Sequence, residues 1–310
     1  MEILFLNPVL KETIWGGTRL KEYQCELSSD HVGECWAISG HPNGDGSIVG
    51  GTYDGKTLSW LWQEHRELFD SIDGEVFPLL TKIIDANQDL SIQVHPDNAY
   101  AREHENGALG KTECWYVLDC EENATIIIGH NAKTREEMVE MIEEKRWKDF
   151  LREIPIHKGD FFQIEPGTLH AIKGGTLILE TQQNSDVTYR VYDYDRLSNG
   201  KPRELHLQKS MDVITVPYQE PEKSTGIYGI TENTNLKELV SCPFYTVWML
   251  DVTDCEKLLQ DQHFMLASVV EGEGTVEGIP ISKGSHFILP KGIDEVVFHG
   301  TMKLILSAVS

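Results

Sequence analysis

The sequence predicts a mainly β protein, in which short strands form sandwiches or barrels and a small helical element is added. After residue 151 the chain consists of short apolar runs separated by Gly and Pro, which is typical of such folds. One unit is repeated, because the segments 158–170 and 283–295 each contain a Gly, a strand pattern and a Pro/Gly turn in that order. Internal similarity of this kind indicates two copies of one β unit.

The part of the chain before residue 151 mixes strands and helices. The short apolar runs 34–38 and 76–84 predict strands, and the apolar spacing of 56–71 predicts a helix. The clearest helical pattern lies at 134–151, where a capping-box sequence precedes an apolar stripe. We expect this last segment to be the helical element of the fold.

The two repeated units differ at one position that bears on function. Three residues after its turn glycine the first unit has His170, whereas the second has Glu295. No histidine pattern accompanies that glutamate, so we interpret the second unit as a scaffold. We therefore predict two domains, one over 1–225 that includes the helical segment and one over 226–310 that serves as a scaffold.

Composition and charge argue against several classes of function. The 310 residues are 40% hydrophobic and 9% aromatic, and their formal net charge is −23. Such a charge argues against nucleic acid as a partner, because its phosphates require a basic surface. No apolar run approaches the roughly 20 residues that cross a bilayer, and the start of the chain lacks a basic leader. We expect a cytoplasmic protein without a membrane partner, in which the six cysteines are free thiols.

The segment 90–97 contains the first candidate for a functional site. Polar and apolar residues alternate along it, so Ser91, Gln93 and His95 share one face of a predicted strand. Pro96 ends the strand because it has no N–H to donate. Taken alone, the segment fits a half-exposed strand whose polar face meets water. Residues further along the chain change that interpretation.

Four residues form a candidate set of metal ligands: Gln93, His95, Glu113 and His170. Two imidazoles, one carboxylate and one amide oxygen suit Zn²⁺. They converge only if the sheet curls into a barrel, whose interior positions alternate along every strand. Each signal is weak by itself, because a lone histidine is more often structural and a lone glutamate is often a surface charge.

Two basic residues complete the candidate site. Lys111 lies two residues before Glu113, so on a strand both side chains face the same side. Arg190 precedes a polar loop, and the alternative is that it merely pairs with the neighbouring Asp186 or Asp193. In so acidic a chain, an anionic ligand depends on a few well-placed cations such as these.

Together these motifs closely resemble the type I mannose-6-phosphate isomerases, especially the short bacterial form, over nearly the whole chain. The resemblance rests on Ser91-Ile92-Gln93-Val94-His95-Pro96-Asp97, Gly110-Lys111-Thr112-Glu113, Gly167-Thr168-Leu169-His170-Ala171, and Ser185-Asp186 leading to Arg190. The first motif is highly specific for the family, whereas the third is general among cupins. The resemblance implies two cupin-type jelly-roll barrels, a catalytic metal-binding one within 1–225 and one within 226–310 that lacks metal ligands.

The resemblance also implies roles for individual residues. It implies zinc as the cofactor, held by Gln93, His95, Glu113 and His170. It further implies a catalytic arginine, an active-site carboxylate, an active-site serine and a substrate-site lysine, which are Arg190, Glu180, Ser91 and Lys111 respectively.

We therefore predict a zinc-dependent aldose–ketose isomerase that interconverts mannose 6-phosphate and fructose 6-phosphate through an enediol(ate). Arg190 would stabilise the developing charge, and either Glu180 or a zinc-bound water would move the proton. Lys111 is the expected anion contact, with Arg196 as a second cation. The alternatives are a non-catalytic sugar-phosphate-binding cupin and an iron-dependent cupin oxygenase. The amide ligand, Lys111 and Arg190 favour the isomerase.

Overall fold

Antiparallel strands dominate the fold, as the short apolar runs predict. The computed structural model describes residues 1–198, 200–220 and 235–310. The strands in these ranges are β1 (Leu4–Asn7), β2 (Val9–Gly17), β3 (Val32–His41), β4 (Gly44–Asp45), β5 (Ser47–Val49), β6 (Leu79–Ala86), β7 (Ile92–Val94), β8 (Glu113–Cys120), β9 (Thr125–His130), β10 (Leu151–Pro155), β11 (Phe161–Ile164), β12 (His170–Ile172), β13 (Thr176–Gln183), β14 (Tyr189–Tyr192), β15 (Leu197–Ser198), β16 (Lys201–Pro202), β17 (Leu236–Ser241), β18 (Tyr245–Val252), β19 (Cys255–Leu259), β20 (Met265–Val276), β21 (Ile279–Ser282), β22 (His286–Leu289) and β23 (Glu295–Val309).

The helices of the described ranges are short. They are α1 (Leu58–Glu64), α2 (Asn98–His104), α3 (Arg135–Glu143), α4 (Trp147–Phe150) and α5 (Leu207–Val213), with 3₁₀ turns at Arg19–Tyr23 and Arg66–Phe69. None of these described helices has the length and apolar character needed to cross a membrane.

Two facing sheets form the barrel that contains the candidate site. One has the strand order β11-β8-β13-β6-β3-β2, and the other has the order β10-β9-β12-β7-β14. Side chains of both sheets share one buried core, in which Trp115 and Ile178 of the first sheet meet Ile126, Ile128 and Ile172 of the second. Polar side chains that point inward from either sheet therefore enter the same interior.

A third sheet forms the C-terminal part of the fold. Its order is β17-β18-β23-β20-β22-β1-β5, with β19 beside β23 and β21 beside β20. The N-terminal strand β1 belongs to this sheet, since Leu4 pairs with Ile288. The predicted domain boundary at 225/226 lies outside the described residues, and strands from both sides of it pair in this one sheet. The division of the chain into domains 1–225 and 226–310 therefore stays a prediction.

Two predicted helices are interrupted in the structure. The helix expected over 56–71 is α1 followed by a 3₁₀ turn, because His65 leaves the helical region with φ −132° and ψ 51°. The helix expected over 134–151 consists of α3 and α4, which are separated where Lys145 has a positive φ of 56°. The expected cap at its start is present, since the Thr134 side chain accepts the N–H of Glu137.

Candidate active site

His95, Glu113 and His170 converge inside the first barrel. One ligand atom from each lies within 4.8 Å of the others. Glu113 Oε2 is 3.4 Å from His95 Nε2, and Glu113 Oε1 is 3.3 Å from His170 Nε2. Each of the three residues is at most 1% exposed. In the described ranges this is the only group of three or more His, Cys, Asp or Glu side chains so arranged.

Strand pairing brings these distant residues together. Glu113 is the first residue of β8 and His170 the first of β12. His170 pairs directly with Gln93 of β7, and the side-chain amide nitrogen of Gln93 lies 3.3 Å from His170 Nε2. Rotation of that amide by half a turn presents its oxygen at the same place. Gln93 therefore lies beside His170, next to the group of three candidate ligands.

Both imidazoles are oriented by backbone carbonyls. His95 Nδ1 lies 2.8 Å from the carbonyl oxygen of Val187, and His170 Nδ1 lies 2.9 Å from that of Thr168. Because a carbonyl can only accept, each Nδ1 carries the hydrogen and each Nε2 turns a lone pair toward Glu113. Metal-binding histidines are commonly oriented in this way.

The carboxylate of Glu113 also fits a metal site. Both of its oxygens are buried and neither accepts a hydrogen bond of good geometry from a described residue, although Lys111 Nζ lies 2.6 Å from Oε2. Burial and the charge of Lys111 lower the pKa of His95 to about 3, so its imidazole is neutral, as metal binding requires. The donor set and its unsatisfied oxygens suit a divalent cation such as zinc.

A buried row of alternating charges adjoins this group. Lys111 Nζ lies 3.8 Å from Glu180 Oε1, and Lys82 Nζ lies 3.3 Å from Glu180 Oε2. Trp115 Nε1 donates a hydrogen bond of 3.1 Å to Glu180 Oε1. Burial, together with the charge of Glu113, raises the pKa of Glu180 to about 7. Glu180 lies in the middle of β13.

Lys82 and Glu34 belong to this row and were missed by the sequence reasoning. Lys82 Nζ lies 3.8 Å from Glu34 Oε2, and Lys82 is only 5% exposed. One signal was available, because a lysine inside the mostly apolar strand β6 is a buried charge that needs a partner. The partner itself could not be read from the local sequence.

A cavity of about 230 Å³ opens over these groups. Its lining combines residues of the two facing sheets with residues of the loops between them, and it includes the predicted Ser91, Gln93, Lys111, Glu180 and Arg190 together with Trp15, Glu34, Trp36, Lys82, Ile84, Leu90, Ile172, Asp186, Thr188 and Arg203. The predicted Arg196 is not among these lining residues. Its guanidinium binds Asp193 and the carbonyl oxygen of Asp89 instead.

Arg190 points to the cavity rather than to a neighbouring acid. Its Nε lies 3.3 Å from Ser91 Oγ, and its Nη1 donates to the carbonyl oxygen of Glu204 at 2.9 Å. Among the described residues it makes no ion pair with Asp186 or Asp193. The alternative interpretation of Arg190 as a simple partner for these acids is therefore wrong.

Comparison with known proteins identifies the family. The model "Phosphomannose isomerase type I, catalytic domain" matches residues 3–117, and "Mannose-6-phosphate isomerase, cupin domain" matches residues 235–309. The mannose-6-phosphate isomerase ManA of Bacillus subtilis is 49% identical, over 99% of this chain and 98% of that protein. The mannose-6-phosphate isomerase of Streptococcus mutans is 47% identical, with the same coverage.

Solved structures agree in fold. The crystal structure of mannose 6-phosphate isomerase from Bacillus subtilis superposes with a TM-score of 0.95, at 47% identity over 99% of both chains. The apo form of the Salmonella typhimurium enzyme shares the fold with a TM-score of 0.77, at 16% identity over the whole of both chains. The predicted cupin-type, mainly β fold is confirmed. The chain belongs to the type I phosphomannose isomerase family of enzymes.

Proposed function

We propose that this enzyme is a zinc-dependent aldose–ketose isomerase that interconverts mannose 6-phosphate and fructose 6-phosphate through an enediol(ate). The observation that carries the proposal is the buried group of His95, Glu113 and His170. Gln93 contacts His170 and Lys111 contacts Glu113, and both Gln93 and Lys111 line the neighbouring cavity. Membership of the family gives the substrate class, and the side chains at the cavity support the finer claims about metal and mechanism.

The residues proposed to hold zinc are Gln93, His95, Glu113 and His170. Their support is the pair of Nε2 lone pairs that face Glu113, together with the buried Glu113 carboxylate, whose oxygens accept no hydrogen bond of good geometry from a described residue. When bound, Zn²⁺ would supply Lewis-acid stabilisation of negative charge on sugar oxygens, without redox chemistry.

The chemical difficulty of the reaction is removal of a proton from a carbon next to a carbonyl group. The resulting enediolate bears negative charge on oxygen, and a fixed positive charge beside it lowers the barrier. Arg190 is proposed for this role, because it lines the cavity and is held by the neutral groups Ser91 and the Glu204 carbonyl. No described carboxylate within ion-pair distance neutralises its charge.

Glu180 is the proposed base that carries the proton between C2 and C1 of the sugar. It lines the cavity, and its Oε2 accepts no hydrogen bond of good geometry from a described residue. Lys82 and Lys111 flank the carboxylate, and Trp115 fixes its other oxygen. The group is thus held in place with one oxygen available to a proton.

Three further residues are proposed to act on the substrate. Ser91 and Lys111 line the cavity, and we propose that both contact the sugar phosphate directly. Arg196 does not line it, so we propose that it acts through Asp193, whose carboxylate it binds.

The test is a coupled assay of fructose 6-phosphate formation with the native enzyme, after chelation, and after zinc is restored. We expect activity to vanish on chelation and to return with zinc. Activity that survives complete metal removal would overturn zinc dependence, and turnover only with iron and O₂ would support the oxygenase alternative. Isomerisation in D₂O tests the mechanism, because an enediolate lets solvent deuterium enter the product, whereas a direct hydride shift does not.

A further inference from the structure

We propose that Arg203, oriented by Asp193, recognises the phosphate group of the substrate and so determines the preference for a phosphorylated over a free sugar. This inference rests on the proposed function and assigns the anion-binding end of its cavity. In this assignment Arg203 is a specificity-determining residue, and Asp193 is a positioning residue.

The first observation is the way in which Arg203 is held. Its Nε donates to Asp193 Oδ2 at 2.7 Å, and its Nη2 lies 2.5 Å from Asp193 Oδ1. This two-pronged pairing fixes the plane of the guanidinium. Asp193 is only 4% exposed, and Arg203 lines the cavity. The remaining nitrogen, Nη1, makes no hydrogen bond with a described residue, so it is available to a ligand.

The second observation is that the chain after β16 runs beside β14. The N–H of His206 donates to the carbonyl oxygen of Arg190 at 2.8 Å, and the N–H of Arg190 donates to His206 Nδ1 at 3.1 Å. The Arg190 side chain also donates to the carbonyl oxygen of Glu204. These bonds place Arg203 beside Arg190, and both guanidinium groups contribute to the cavity lining.

The third observation is the distribution of charge between the two ends of the cavity. At the metal end the two lysines, Lys82 and Lys111, face three carboxylates, which are those of Glu34, Glu113 and Glu180. At the other end Arg190 and Arg203 line the cavity, while Arg196, which does not line it, shares the buried carboxylate of Asp193 with Arg203.

The protein side chains thus leave positive charge in excess at the arginine end. Asp186 also lines the cavity, but its carboxylate accepts a hydrogen bond from Asn43 and faces His41. A phosphate monoester carries a charge of about −1.5 to −2 at pH 7, and a chain with a net charge of −23 would otherwise repel it. A fixed guanidinium also matches the geometry of phosphate oxygens better than an ammonium group does.

The main experiment uses zinc-loaded, full-length enzyme without free zinc, and inorganic phosphate as the probe. We expect Arg203→Met to weaken phosphate binding, measured by calorimetry, by about 10- to 100-fold. The kcat/KM for mannose 6-phosphate should fall by a similar factor, mainly through KM, whereas that for unphosphorylated mannose should change less than about twofold. Arg203→Lys should bind phosphate more tightly than Arg203→Met but less tightly than the native enzyme, since lysine keeps the positive charge but lacks the planar, two-pronged geometry of the guanidinium.

Arg152→Met is the matched control. Arg152 is partly exposed like Arg203, but it pairs with Glu220 outside the cavity. Its replacement should leave phosphate affinity unchanged. If Arg203→Met retains wild-type phosphate affinity, or if it lowers the two sugars' kcat/KM equally, the inference is overturned.

Asp193→Asn tests the positioning role. We expect KM for mannose 6-phosphate to rise several-fold while kcat is retained, because Arg203 keeps its charge but loses its fixed plane. A loss of kcat with unchanged KM would contradict that role, and if the variant does not fold, the Arg203 variants decide. Calorimetry needs no turnover, so an enzyme that binds phosphate through Arg203 but fails to isomerise would overturn the proposed function and not this inference.

Discussion

The first repeated β unit lies in the barrel that contains the candidate site, and the second lies in the C-terminal sheet. The interiors of these two parts of the molecule, called the first and the C-terminal unit below, differ in the kind of side chain they bury. The first encloses His95, Glu113 and His170, each at most 1% exposed. The C-terminal core is mostly apolar, with Phe287 and Phe298 fully buried, although one histidine, His286, is buried there too. Burying ionisable groups is costly unless they are paired or bind a metal. This difference agrees with the proposal that the first unit carries the chemistry, and it predicts that the second contributes mainly to stability.

One pair of corresponding positions shows the difference directly. His170 and Glu295 both follow a turn glycine by three residues and both begin a strand. His170 is fully buried, whereas the Glu295 side chain is about half exposed, at 47%, and pairs with Lys257 at 3.0 Å. The carboxylate of the second unit is thus a surface group, which agrees with its interpretation as a scaffold.

The largest expected effect is loss of the proposed metal site. Glu113→Gln should abolish zinc binding and lower kcat/KM on the order of 10⁴-fold, because the metal contributes several kcal/mol to charge stabilisation. Metal analysis of the purified protein and the coupled assay would measure both. Glu295→Gln is the control and should change neither. A Glu113→Gln enzyme that keeps its zinc and its activity would remove the distinction between the two units.

The second prediction concerns the apolar core. Phe287→Ala should lower the free energy of unfolding by about 3–5 kcal/mol, since it removes a fully buried ring. Urea denaturation would measure this loss, and Ile279→Ala, at an exposed position, should cost less than about 0.5 kcal/mol. We expect kcat of the folded variant to be unchanged. A lower kcat would show that the C-terminal unit also shapes the site.

The third prediction separates catalysis from metal binding within the first unit. Arg190→Ala should reduce kcat by about 10²- to 10³-fold, because one preorganised positive charge is lost from the cavity. Zinc content should stay the same, since Arg190 is not a proposed ligand. Arg146→Ala removes a surface arginine as the control and should have no effect on turnover. Parallel loss of zinc and activity in Arg190→Ala would contradict its catalytic role.

The smallest effect concerns a histidine in the C-terminal unit. His286 is buried, its Nδ1 lies 2.9 Å from Ser268 Oγ, and burial lowers its pKa from 6.5 to about 4. The unfolded chain therefore binds the proton more tightly than the folded one. This contribution to stability is present above pH 6.5 and is lost as the pH falls toward 4.

Between pH 7 and pH 5 the loss should be on the order of 2 kcal/mol. The double variant His286→Leu/Ser268→Ala removes both polar groups and should flatten the pH dependence of the unfolding free energy by that amount. Urea denaturation at the two pH values would measure it. An unchanged slope would show that His286 titrates normally in the folded chain.

Local sequence determined which residues could share a site. The period of two along 90–97 places Ser91, Gln93 and His95 on one side, and the turn at Gly167 precedes His170. These features follow from the geometry of a strand and of a turn, which act over a few residues. The helical breaks at His65 and Lys145 were missed, because the apolar pattern continues across them and says nothing about φ.

Only the tertiary structure decided which distant groups complete the site. Lys82 meets Glu180 because β6 pairs with β13 in a register that joins residues nearly a hundred positions apart. Whether Arg196 or Arg203 reaches the cavity depends on the loop after β14, where Tyr194 and Asp195 both adopt a positive φ. Strand β1 likewise lies in the sheet of the C-terminal strands. Sheet register and loop path arise from packing of the whole chain, and no short sequence pattern encodes them.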